Sequence, residues 1–124
     1  MGWPPQVGEH LPRADEALGV RYKLETYSLD ITHRGGGPKA KGFALILGIT
    51  VDAIVVLEDQ IHEGIHSYPI KAVAENQPYG LNCVVEFPIS GAGRYSDRVA
   101  LLRTVWELTD PFQPPRMINA FLKT

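Results

Sequence analysis

Residues 32–69 read THRGGGPKAKGFALILGITVDAIVVLEDQIHEGIHSYP, and the spacing of apolar residues inside this stretch decides the fold. Three consecutive glycines, Gly35–Gly37, cannot sit inside a helix or strand at low cost, so Arg34–Gly37 is a loop. Pro38 suits the first helical residue, where its missing N–H has no partner to lose. Ala40, Phe43, Ala44 and Leu47 follow at helical spacing, and Gly48 is a natural stop. Thr50 is placed to cap a second helix. Ile54, Leu57, Ile61 and Ile65 mark one face of it, and Val51 and Val55 widen that face. Pro69 ends it.

Upstream, residues 1–12 carry Pro4, Pro5 and Pro12 and predict an irregular lead-in. A short strand or turn and then a short helix around Tyr22–Leu29 follow. Downstream of Pro69 the period changes. Tyr68–Ala74, Leu81–Ile89, Arg98–Leu108 and Arg116–Leu122 are strand-like, joined by ENQPYG, SGAGRYSD and TDPFQPP, which are rich in turn residues. Helices precede strands, so the expected class is α+β. Residues 1–124 form one domain, its N-terminal helices packed on one face of a mostly antiparallel sheet of about four strands.

Twelve Lys+Arg against fourteen Asp+Glu give a formal net charge of −2. That argues against wholesale, sequence-blind nucleic-acid binding but leaves room for a small basic cleft. The single cysteine, Cys83, lies in a strand-like run, reads as a buried structural thiol and suits a reducing compartment. No apolar stretch approaches membrane-span length, and the N-terminus lacks the basic-then-apolar layout of a signal peptide. The expected location is the cytoplasm, the cell's own or that of a target cell into which the protein is delivered.

His62–His66 reads HEGIH, the H-E-x-x-H pattern with which a zinc protease holds its metal and its general base. The context is poor. Ser67, Tyr68 and Pro69 stop the helix within a turn, no third ligand follows at family spacing, and Gly64 is a weak platform. The plainer account puts His62 and His66 on a solvated helix end, where the helix dipole favours protonated histidine.

A second set of residues says more. LPRADEA (11–17), KLETYSLD (23–30) and HRGGGPKAKGFALILGI (33–49), with Tyr79–Gly80, Trp106 and Pro115–Arg116 further on, span nearly the whole chain. In these it resembles an uncharacterised family of small bacterial domains with the pattern L-P-x-A-x-x-A, K-L-x-x-Y-x-L, H-x-x-G-x-x-K-A-x-x-F and L-G-I. The resemblance implies a place in toxin–antitoxin neighbourhoods or at the C-termini of polymorphic toxins. The element order is similar to that of barnase- and colicin-type ribonucleases, an analogy at the level of fold.

Metal-independent RNA cleavage needs a base for the 2′-hydroxyl, an acid for the leaving 5′-oxygen and cations for the charge that builds on phosphorus. His33 has the side-chain chemistry of an acid or base. The glycine loop, with Gly36 at its centre, leads into a helix start and offers backbone N–H groups as an anion seat. Lys39 and Arg34 add charge there. Arg103 and Arg116 lie on adjacent predicted strands within reach of a phosphate, and Tyr79 or Trp106 is placed to stack a base. Each has a plain alternative: His33 a capping residue, Lys39 and Lys41 solvated helix residues, Trp106 core and Arg103 sheet surface.

The expectation is a toxin-type ribonuclease that needs no cofactor. His33, Lys39 and Arg116 are its catalytic residues, Arg34, Gly36, Arg103 and Tyr79 bind RNA, and a cognate antitoxin or immunity protein is its partner. The second hypothesis is a non-catalytic, antitoxin- or immunity-like protein-interaction module, favoured by the acidic balance. The third is a zinc hydrolase built on HEGIH.

Overall fold

The computed structural model describes residues 3–75 and 80–123. Helix α1 (Val20–Lys23) runs without a break into a π-helical segment, Leu24–Ser28, in which Leu29 N–H reaches back to the Leu24 carbonyl at 2.9 Å. Helix α2 (Gly37–Leu47) carries Pro38 in its first turn and ends at Gly48. A short turn, Val51–Ala53, leads into helix α3 (Ile54–Ser67). Four strands follow, β1 (Ile70–Glu75), β2 (Leu81–Ser90), β3 (Val99–Leu108) and β4 (Arg116–Leu122). They form one antiparallel sheet in the order β1-β2-β3-β4. The architecture is α+β, as the order of periodicities predicts.

Strand alternation sends Cys83, Val85, Phe87 and Ile89 of β2, and Leu102, Thr104, Trp106 and Leu108 of β3, to the face on which the helices pack. They join Phe43, Leu47, Leu57, Ile61 and Ile65 in one core that extends from Leu11 to Ala120. Trp106 is fully buried, and its indole N–H donates to Thr104 Oγ1 at 2.9 Å. That hydroxyl donates in turn to the Val85 carbonyl at 2.7 Å. The two bonds satisfy the buried polar atoms, so Trp106 belongs to the core and is not a base-stacking platform. Cys83 is buried as well, and burial pushes its thiol up to about 11, which makes it inert at neutral pH.

Two expectations about α3 are corrected. Ile54, Leu57, Ile61 and Ile65 are buried, but Val51 and Val55 are 46% and 51% exposed. Val51 lies in the tighter turn before α3, out of phase with the helical stripe, and Val55 is a full residue step round from Ile54. Thr50 has the extended backbone of a cap, but its side chain makes no capping hydrogen bond.

The HEGIH segment is explained by packing. A Cβ on Gly64 would fall 2.3 Å from the Phe87 ring, so only glycine lets that ring lie against the helix. Tyr68 stacks on the same ring, with centroids 5.8 Å apart. Ile61 and Ile65 point inward, while His66 is exposed and His62 is partly so. Among the described residues no group of three His, Cys, Asp or Glu is arranged to hold a metal. No single helix among them is long and apolar enough to cross a membrane.

Candidate functional site around Tyr27

Strand β4 lies at the edge of the sheet, and α1, the π-helical segment and α2 pack along it. Lys23 and Tyr27 are four residues apart where α1 passes into the wider π turn, a spacing that puts them on one side. Lys23 Nζ lies 5.4 Å from the centre of the Tyr27 ring. From the other direction Lys39, in the first turn of α2, brings Nζ to 4.7 Å from the same centre and 5.0 Å from that of Phe121 on β4. Lys39 Nζ donates to the Tyr27 hydroxyl at 3.0 Å and to Asn119 Oδ1 at 3.1 Å. These partners are neutral. Neither lysine pairs with a carboxylate among the described residues, so the charge on the half-buried Lys39 is uncompensated there.

His33 packs edge-on against Tyr27, with ring centres 4.8 Å apart. Its Nδ1 accepts the backbone N–H groups of Gly35 and Gly36, each at 3.0 Å, and its carbonyl accepts Gly37 N–H at 2.7 Å. The expected anion seat in the glycine loop is therefore filled from within, since all three glycine N–H groups are spent on His33. Gly36 does not offer its N–H to a ligand. It is present for space, because a Cβ would fall 2.0 Å from the Tyr27 carbonyl oxygen.

The capping geometry also restricts what His33 can do. Two N–H donors aimed at Nδ1 fix it as an acceptor, so the neutral ring carries its proton on Nε2. His33 thus presents Nε2–H from an exposed ring as a donor, a group that can hold an anion. The nearby Asp30 carboxyl is held below its ordinary value, first by the Thr32 hydroxyl at 2.6 Å, then by the Thr32 N–H, with His33 adding to it.

The remaining expected residues are distributed unevenly. Arg34 is exposed on the same loop and makes no hydrogen bond or ion pair among the described residues. Arg116, at the start of β4, is apart from His33 and pairs with Glu107 at 3.4 Å. It lines a groove between α1 and β4 that it shares with Tyr22 and Lys23. Lys39 lines a second groove, between α2 and β4, with Pro38, Gly42 and Phe121. Tyr27 connects the two through its contacts with both lysines. Arg103 is on the open sheet face, bonded to Glu86 at 2.9 Å. Tyr79 lies outside the described residues.

Lys23, Tyr27, Asn119 and Phe121 were not among the expected site residues. Lys23 and Tyr27 stand in KLETY at helical i, i+4 spacing, a signal visible in the sequence. Asn119 and Phe121 had none, because their place beside Lys39 depends on how α2 docks on β4.

Fold and site together define a small α+β domain with a basic cleft built round a tyrosine on a π-helical turn, a distortion frequent at functional sites. The chain belongs to a family described as a domain of unknown function (DUF6883), whose model matches residues 10–124. No curated protein and no solved structure matches the chain.

Proposed function

We propose that the domain is a toxin-type ribonuclease that cleaves RNA without a metal at the Tyr27 cleft. One observation carries the proposal: Lys39 holds a half-buried positive charge with only neutral partners, and an anion such as a phosphodiester supplies the missing counter-charge. Lys23 and the Nε2–H of His33 flank the same ring and add donors to a phosphate oxygen. The Tyr27 hydroxyl accepts from Lys39 and keeps its own proton for the substrate. In the reaction the RNA 2′-oxygen bonds to phosphorus and the bond to the 5′-oxygen breaks. The 5′-oxygen takes the Tyr27 proton, the 2′-proton passes to solvent, and Lys39 stabilises the phenolate until it is reprotonated. The order of helices and then a four-stranded antiparallel sheet supports the reading only as an analogy in element order to barnase- and colicin-type ribonucleases. A producing cell then needs a neutralising antitoxin or immunity protein, and the cleft is the surface such a protein has to cover.

The test is induction of the wild-type, His33→Ala and Lys39→Met genes side by side in a bacterial host, following growth and total RNA. Growth arrest with RNA breakdown in the wild type, relieved in both variants, is the expected result. Normal growth with intact RNA in the wild type overturns the proposal.

A further inference from the structure

The sheet face turned away from the helices carries a charge arrangement that the Tyr27 cleft does not use. Register pairs Phe121 of β4 with Arg103 of β3, and Arg103 with Glu86 of β2, so the three form one row across the sheet. The Glu86 side chain is only 4% exposed although no helix covers it, because three cations close over it. Arg103 Nη1 lies 2.9 Å from one carboxylate oxygen, Lys123 Nζ 3.2 Å from the same oxygen, and Lys71 Nζ 3.3 Å from the other. Burial pushes the Glu86 carboxyl up, but Lys123 and Lys71 outweigh it and hold it below its ordinary range. It stays ionised. One negative charge against three positive charges leaves a surplus of two on an open surface, in a chain whose formal net charge is −2. The cations remain accessible, Lys71 at 57%, Lys123 at 42% and Arg103 at 31%. Phe121, at the other end of the row, is about 10 Å from Glu86 by two strand spacings, and Lys39 lies over its ring.

We infer that this sheet face is a binding track for single-stranded RNA, with Lys71, Arg103 and Lys123 holding a phosphate remote from the one at Lys39. Glu86 keeps the three cations converged in the empty state, and a phosphate docks against their outward N–H groups. The identity of the strand as RNA rests on the proposed function, whereas the anionic, extended character of the ligand rests on the row itself.

The experiment is fluorescence anisotropy of the full chain with a labelled 12-nucleotide 2′-O-methyl RNA, which cannot be cleaved, over a series of salt concentrations. Lys71→Gln and Lys123→Gln should each weaken binding about 3- to 10-fold and, because they share one phosphate, lower the slope of log K against log salt by at most about 0.7. Arg21→Gln removes the same charge from the helical layer, where Arg21 is paired with Glu58, and should change binding less than twofold. Glu86→Gln raises the surplus to three and should tighten binding. Unchanged affinity in Lys71→Gln and Lys123→Gln, or an equal loss in Arg21→Gln, overturns the track. An acidic polyglutamate peptide that binds as tightly and responds to the same variants overturns RNA as the ligand. If Glu86→Gln does not fold, the two lysine variants decide. A wild type that binds the oligonucleotide but cuts no RNA keeps the track and removes the nuclease. One that cuts RNA while the lysine variants bind normally does the reverse.

Discussion

Lys39 concentrates the chemistry of the cleft, and its surroundings predict what its loss does. Its contacts are a phenol, an amide and two ring faces, all at the molecular edge, so Lys39→Met leaves groups that water can satisfy. The variant should fold with a melting temperature within a few degrees of wild type while losing at least tenfold in RNA cleavage, the least expected for a lost phosphate ligand. Gly36 is the opposite case. Gly36→Ala puts a methyl group into the Tyr27 backbone, which cannot swing away as a side chain end can, and should cost about 1–3 kcal/mol in a denaturant titration. A cost near zero would show that the loop is not held against Tyr27 as described.

At the level of elements, α3 separates a motif from its function. Alanine at position 64 gains about 1 kcal/mol of helix propensity over glycine but meets the buried Phe87 ring. Gly64→Ala should therefore be net destabilising by about 1–3 kcal/mol, measured by thermal or urea unfolding, and a stabilised variant would refute the packing account. His62→Ala should leave both stability and RNA cleavage unchanged, with or without added zinc. The helices and strands themselves were legible in sequence because punctuation and period agreed. Gly48 ends α2, which begins at Gly37, one residue ahead of the expected start at Pro38, and Arg116–Leu122 is β4 to the residue. Val51 and Val55 misled because their apolar character is the same whether or not the turn before α3 is in phase with it. Arg116 was grouped with His33 because strand order shows which strands are neighbours. It does not show that β4 is long enough to part its first residue from Asn119 and Phe121.

In the whole molecule a modestly acidic chain places unneutralised positive charge at the β4 edge and on the open sheet face. That distribution has a pH consequence. The folded-state value of Glu86 lies below its ordinary 4.5, so its charge stabilises the fold fully at neutral pH. The contribution declines as pH falls from about 4.5 through the lower folded-state value. Wild-type stability should drop over that window more steeply than Glu86→Gln, and parallel curves would remove Glu86 from the acid response. The basic edge was only half legible. His33, Lys39 and Arg103 were singled out by residue type, but the place of Glu86 in a cation cluster was not legible, because a lone glutamate in an apolar strand looks like surface until three distant cations are folded onto it.

The most direct measurement is incubation of the purified chain with a defined single-stranded RNA in excess EDTA, beside its Lys39→Met variant, with the ends of the products identified. Cleavage by the wild type that leaves 2′,3′-cyclic phosphate ends, at least tenfold slower in the variant, is the predicted result. RNA left intact by the wild type, or cut equally by both proteins, would contradict a metal-free nuclease centred on Tyr27 and Lys39.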